Sequence, residues 1–319
     1  MAALDCLCVG IIVVDHLCAP IAHVPREGEL ILTESLPLCI GGCASNAAID
    51  LARVGHNVAI LGCVGYDPLG SLAIQLLQAG GVETKAILRR ENVSTSATLI
   101  INVQGEDRRY IHDVGANRTL SVADIPWELV AQAKVLYVGG YLLMPELSRP
   151  GTLVELFRRA RRHGIKTVLD VVVPGAGDHW PCFAELLPET DVFLPNTDEA
   201  VIITGLTDPV AQAEKFRDAG AGTVVITQGP HGTVLLNDKL RLRAGVFPAT
   251  YVSGTGAGDA FDAGYIAGLL RGEDPIGCLR WGSVLGASCV RSVSATESVF
   301  NQVEAEDFLA RHELTIERL

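Results

Sequence analysis

Val252-Ser253-Gly254-Thr255-Gly256-Ala257-Gly258-Asp259-Ala260-Phe261-Asp262 is the stretch on which the reading of this chain turns. An apolar, β-prone run from Val246 to Val252, broken by Pro248, leads into it. Ala260 to Leu270 follows with helical spacing and closes on Arg271 and Gly272, residues typical of a last turn and its stop. A strand, a glycine loop and a helix N-terminus together make a place for an anion. The first N–H groups of a helix lack internal partners, and its dipole puts partial positive charge there. Glycines at alternate positions let the backbone approach a phosphate without β-carbons in the way. Asp259 stands where that anion would lie, and a carboxylate repels a phosphate unless it has its own task. Accepting a proton from an attacking hydroxyl is one such task; capping the helix is the other. The loop is not a Walker A motif, because no Lys-Ser/Thr follows the glycines. Nor is it the dinucleotide fingerprint, which needs its third glycine one residue later.

Gly256-Ala257-Gly258-Asp259 after Thr255, late in the chain, resembles the signature of the ribokinase-like (PfkB) carbohydrate kinases. The resemblance implies that the amides of Gly256, Ala257 and Gly258 hold the transferred phosphoryl group of ATP and that Asp259 is the catalytic base. It departs from the usual pattern just upstream. The family commonly has Asp-Thr-Thr or Asp-Thr-Asn there, whereas this chain has Ser253, Gly254 and Thr255. The absent carboxylate is one the family uses near a monovalent cation, so little activation by potassium is expected.

The 319 residues suffice for one large α/β domain. With 49% hydrophobic and 19% charged residues the composition is that of a compact soluble protein. A net charge of -12 argues against nucleic acid as a partner. ATP is still compatible, provided a local anion hole and Mg²⁺ offset the repulsion. The nine cysteines include no C-x-x-C pair and have apolar neighbours, which fits reduced, buried thiols in a cytoplasmic protein. The apolar start carries Asp5 and lacks a basic flank, so it reads as a strand rather than a signal peptide, and no run is suited to span a membrane.

Leu4 to Val14 is nearly continuous apolar sequence, as expected of a strand buried on both faces of a parallel sheet, and it ends at Asp15. Ligands bind at strand carboxyl ends in open α/β sheets; the resemblance implies that Asp15 holds sugar hydroxyls. His16 to Cys39 breaks the rhythm with three prolines, and Glu29 to Thr33 reads as an exposed strand. Gly41-Gly42-Cys43-Ala44-Ser45-Asn46 then opens an alanine-rich helix. It matches the family's Gly-Gly-x-x-x-Asn element, which implies that Gly41 and Gly42 pass close to the sugar and Asn46 bonds a hydroxyl. An ordinary glycine turn with a polar cap is the alternative.

Asn57 to Val64 and Val82 to Leu88 read as strands, with Asp67-Pro68 starting the helix between them as N-cap and first residue. Ala97 to Val103 and Arg108 to His112 read as a hairpin, with a turn at Gln104 to Asp107. Val135 to Val138, Thr167 to Val173, Val192 to Leu194 and Val224 to Thr227 continue the strands of the main sheet, separated by helical stretches such as Thr152 to His163. Asn196-Thr197-Asp198-Glu199 has the form of a capping box. It also matches the family's Asn-x-x-Glu motif, which implies that Asn196 and Glu199 order Mg²⁺ through water. Thr227-Gln228-Gly229-Pro230-His231-Gly232 resembles the family's nucleotide loop, implying roles for Thr227, Gly229 and Gly232, as for Thr255, beside ATP.

The fold expected is α/β, a parallel-stranded central sheet with helices on both faces, ribokinase-like, with a small β-sheet lid. One domain spans 1–319, and residues 16–39 and 94–113 form the lid, a sheet edge through which a homodimer is plausible. The resemblance implies an ATP-dependent kinase acting on a hydroxyl of a small sugar. A nucleoside kinase of the same fold is the alternative acceptor class. From other classes, a nucleotide-binding oxidoreductase and a non-catalytic sugar-binding protein are the competing readings.

Overall fold

Leu4 to Val14 does not remain a single strand. The computed structural model, which describes residues 4–106 and 108–319, breaks it into β1 (Leu4–Gly10) and β2 (Val13–Ile21). The break at Ile11 and Ile12 is held by Asn117, whose Oδ1 accepts from Ile12 N at 3.2 Å and whose Nδ2 donates to Ile12 O at 3.0 Å. A buried backbone that leaves one sheet needs such substitute partners. Asp15 therefore lies in a small sheet, not at the carboxyl end of a central strand.

The remaining strands in chain order are β3 (Leu38–Gly41), β4 (Val58–Leu61), β5 (Cys63–Gly65), β6 (Leu88–Arg90), β7 (Ala97–Val103) and β8 (Arg109–Asp113). After them come β9 (Ala133–Gly139), β10 (Lys166–Leu169), β11 (Val192–Phe193), β12 (Thr223–Thr227), β13 (Thr233–Asn237), β14 (Arg241–Ala244) and β15 (Ile316–Arg318). The central sheet has the order β15-β14-β13-β12-β11-β10-β9-β1-β4. Its part from β12 to β4 is parallel, while β13, β14 and β15 add antiparallel. Alternate residues of β1 enter two separate cores. Cys6 and Cys8 pack with the helices Cys43–Arg53, Ala257–Arg271 and Pro275–Cys289. Leu7 and Val9 pack with those around Phe157, Ala200 and Phe216. A β-carbon on Gly264 would lie 2.2 Å from the Trp281 carbonyl oxygen, so small residues are what let the helices Ala257–Arg271 and Pro275–Cys289 pack so closely.

The small sheet has the order β3-β2-β7-β8 and joins the two expected excursions in one layer. Asp107, in the expected turn, lies outside the described residues. Several boundaries differ from the sequence expectation. Glu29 to Thr33 is not a strand: β3 occupies the edge of β2 beside it, and Leu30 and Leu32 are 86% and 85% exposed. Val82 to Leu88 makes only the bridge from Glu83 to Ala59, and the strand begins at Leu88, after a turn in which Ile87 N donates to Thr84 O. Val246 to Val252 is irregular, since Pro248 offers no N–H to a ladder. It is tied instead to a helix end, where Val252 N donates to Val290 O at 2.7 Å. Among the described residues no helix is long and apolar enough to cross a membrane.

Candidate active site

The helix that begins the glycine loop's far side runs from Ala257 to Arg271, so Asp259 sits in its first turn and is not its cap. The cap position is Gly256, whose φ of 77° suits glycine, and a β-carbon there would press to 2.6 Å from the Ala295 backbone. Gly258 is different: a β-carbon would meet nothing within 4 Å. Its bareness leaves room over the helix N-terminus, where the first amides point outward. Ser253 and Thr255 brace the loop from beneath, their hydroxyl oxygens 3.0 Å apart.

Asp259 Oδ2 accepts a hydrogen bond from Asn46 Nδ2 at 2.7 Å, across 213 residues of sequence. Both glycine-bearing motifs therefore meet at one carboxylate. The expectation sent the Asn46 amide to an acceptor hydroxyl; its nitrogen is on Asp259, and its Oδ1 is buried without a partner among the described residues. Cys43, the first residue of the same helix, points its thiol at two carboxylates. Its sulfur and one oxygen each from Asp170 and Asp259 all lie within 4.8 Å of one another. Asp170 directly follows β10 and accepts from Gly140 N at 2.9 Å.

Asp15 stands against Gly41, where a β-carbon would lie 2.0 Å from Asp15 Oδ2. Glycine at 41 thus makes the place for the Asp15 carboxylate. Burial pushes that carboxyl up to about 6, with the Thr98 hydroxyl opposing and Asp259 adding to the rise. Asp170 is pushed to about 7 by burial and by Asp259. Burial and then Asp170 hold Glu199 well above the usual carboxylate range. Asp259 itself is raised by burial, against the hydrogen bonds from Asn46 and Cys43 that favour its charged form. Asp262 is raised by burial and then by Asp170, and its Oδ2 accepts from Tyr137 OH at 3.0 Å. Acidic groups crowded in this way call for positive charge. Arg108, from the β7–β8 connection, lies beside the glycine loop: a β-carbon on Gly254 would lie 3.2 Å from a guanidinium nitrogen.

Asn196 and Glu199 form the capping box. Asn196 Oδ1 accepts from Glu199 N and Glu199 Oε2 accepts from Asn196 N, each at 2.9 Å. Thr227, at the end of β12, bridges to Asn196, and Thr197 Oγ1 donates to Thr227 O at 3.2 Å. The Thr227 to Gly232 turn therefore abuts the box. Within it Gly232 serves the hairpin, since a β-carbon would lie 1.9 Å from Ala244 O, whereas Gly229 has nothing within 4 Å of its β position. Asp67 caps its helix as expected, accepting from Gly70 N at 2.7 Å. Asp170, Cys43 and Arg108 were not singled out from sequence. Asp170 had a signal, the carboxyl end of a central strand, masked by reading Thr167 to Val173 as one continuous strand. For Cys43 and Arg108 no local signal exists.

Residues 3–301 match the family described as pfkB family carbohydrate kinase. The chain belongs to that family. This carbohydrate kinase is 28% identical to a ribokinase of Haemophilus influenzae over 307 residues, covering 94% of this chain and 96% of the relative. It is 26% identical to a 5-dehydro-2-deoxygluconokinase of Geobacillus thermodenitrificans, covering 96% and 93%. The fold superposes on Arabidopsis thaliana ribokinase complexed with ribose and ATP with a TM-score of 0.81, at 23% identity over 97% of this chain and 99% of the other.

Proposed function

We propose that this kinase transfers the γ-phosphoryl group of ATP to a hydroxyl, a primary alcohol, of a small sugar. The observation that carries the reading is the Asn46–Asp259 hydrogen bond at the open helix N-terminus beside Gly258. Asn46 holds one carboxylate oxygen and leaves the other for an acceptor hydroxyl. The base then lies next to the amides of Gly256, Ala257 and Gly258, where the γ-phosphoryl group binds. Burial raises the pKa of Asp259, which makes its carboxylate a stronger base than that of a surface aspartate. Phosphoryl transfer has a loose transition state, so most of the work is alignment and charge compensation. Asp15, with Gly41 and Gly42 behind it, holds a neighbouring sugar hydroxyl. Arg108 adds positive charge from the small sheet.

Thr227, Gly229 and Thr255 line the nucleotide side. The oxygen donors of Asn196 and Glu199 suit a hard cation that keeps most of its water, and the upward shift of Glu199 is what a carboxylate awaiting a cation would show. Mg²⁺ bound there supplies charge compensation for the phosphates. The small sheet, from residues 16–39 and 94–113, acts as a lid that excludes water as a competing nucleophile. Its bare leucines at 30 and 32 suit the lid of a second copy, making a homodimer.

The names of the two curated relatives support a sugar over a nucleoside. A panel of sugars and nucleosides with MgATP, scored for ADP release and product phosphate position, tests the reading. Turnover on a sugar with phosphate on its primary alcohol is expected. Turnover on nucleosides alone would overturn the acceptor class.

A further inference from the structure

We propose that Cys43, Asp170 and Asp259 form a binding site for a thiophilic divalent cation of the zinc class, which silences the enzyme when occupied. The donor set is the first reason. A thiol is a poor ligand for Mg²⁺, which demands oxygen, whereas Zn²⁺ takes sulfur and carboxylate oxygen together. The sulfur and the two carboxylate oxygens lie within 4.8 Å of one another. Zinc–sulfur and zinc–oxygen bonds of about 2.3 and 2.0–2.2 Å place the ligands of a tetrahedral ion roughly 3.5 Å apart. Side-chain rotation of about one ångström closes the difference.

The fourth ligand is the second, independent reason. Asn46 is 4% exposed, and its Oδ1 has no partner among the described residues. A buried amide oxygen without a donor is costly to leave so. Its nitrogen donates to Asp259 Oδ2 at 2.7 Å, which puts the amide beside the cluster and leaves the carbonyl oxygen as the end still without a partner. Rotation of the amide would bring that oxygen in as the fourth ligand beside the sulfur and the two carboxylates, with none from Asn196 or Glu199. A cation there occupies the lone pairs of Asp259 that would receive the hydroxyl proton. The silencing rests on the reading of Asp259 as base; the binding itself does not.

The test uses the full chain stripped of metal. Titration with Co²⁺ is expected to give a thiolate-to-metal charge-transfer absorption that saturates at a single equivalent. The band should vanish in Cys43→Ser and persist in Glu199→Gln. Zn²⁺ should inhibit the wild type even in excess Mg²⁺, with an inhibition constant raised by roughly tenfold or more in Cys43→Ser, since even an outer partner of a metal site is worth about 10–100-fold. X-ray absorption of the Zn²⁺-loaded wild type gives a reading independent of any variant's folding: one sulfur with oxygens around the metal is expected. A shell without sulfur, or a band unchanged in Cys43→Ser, overturns the site. A Cys43-dependent band in a protein that phosphorylates none of the panel would leave the metal site standing and remove the kinase reading of Asp259.

Discussion

The glycine loop and the small sheet are deficient in opposite ways. Around Gly256 to Asp259 negative charge is in surplus: Asp259, Asp170, Glu199 and Asp262 all have raised pKa values. In the small sheet, Asp15 apart, the deficit is of the other kind, and apolar surface is left over. Ile111 in β8 is 63% exposed, and Leu30 and Leu32 in the β2–β3 connection are 86% and 85% exposed. Burying one such side chain is worth about 1.5–3 kcal/mol, so these bare side chains are a standing incentive to associate. Each deficit names what it lacks: cations and a phosphate at the loop, an apolar surface at the sheet. Arg108 is where the two regions touch, a sheet residue reaching Gly254.

The sharpest break would come at Asp259. Asp259→Asn keeps size and the bond from Asn46 but removes basicity. We predict a fall in kcat of roughly 10²–10⁴ with ATP affinity held or slightly raised. Full turnover in steady-state assays would leave the residue a structural partner of Asn46. Next in size is Arg108→Ala, which removes the sheet's cation from the loop. A loss in kcat/KM for ATP of about 10² is expected, the lower end of what one donor to developing charge contributes. An unchanged value would leave Arg108 without a part in ATP use, its contact with the Tyr110 hydroxyl and ring included among structural ones.

The double variant Leu30→Asp, Leu32→Asp tests the other region. Sedimentation should show a dimer for the parent and a monomer for the variant, with Tm of the isolated subunit unchanged because the leucines make little contact within the chain. A parent that stays monomeric at assay concentration would end the dimer proposal. A smaller effect is expected at Asp15, whose carboxyl is raised from 3.8 to about 6 by burial. The folded protein then holds a proton that the unfolded chain has released, so this group's contribution to stability falls as pH rises from about 4 to about 6 and is constant above. Asp15→Asn lacks that loss. Its Tm should therefore rise relative to the parent's across that window, and a variant Tm that falls relative to the parent's as pH rises would contradict the sign. The least effect is predicted for K⁺: with Ser253 in place of a carboxylate, exchanging an inert organic cation for K⁺ at fixed ionic strength should change the rate little. A several-fold rise would refute this.

Much of the site was legible because its motifs are local. The turn at Gly256 to Asp259, the box at Asn196 and Glu199 and the cap at Asp67 each depend on backbone demands met within a few residues. The small sheet was legible too as an interruption of the βα rhythm, with β7 bounded as expected. Strand limits were less so. A continuous apolar run such as Leu4 to Val14 carries no mark of where it changes sheets, because both sheets bury it. The antiparallel strands β13, β14 and β15 were not read at all, being short segments placed by their neighbours.

By itself the sequence determined the glycine loop, the caps and the alternation of strand and helix, since these answer to periodicity and to hydrogen bonds between near neighbours. It also determined membership of the family through motifs in a set order. Only the tertiary structure decided which side chains share a space. It joined Asn46 to Asp259 by a hydrogen bond, set Cys43 and Asp170 around the same carboxylate and carried Arg108 to Gly254. It also left Leu30 and Leu32 bare. Packing brings together residues far apart in sequence, and the field and dehydration that shift their pKa values exist only once they are packed.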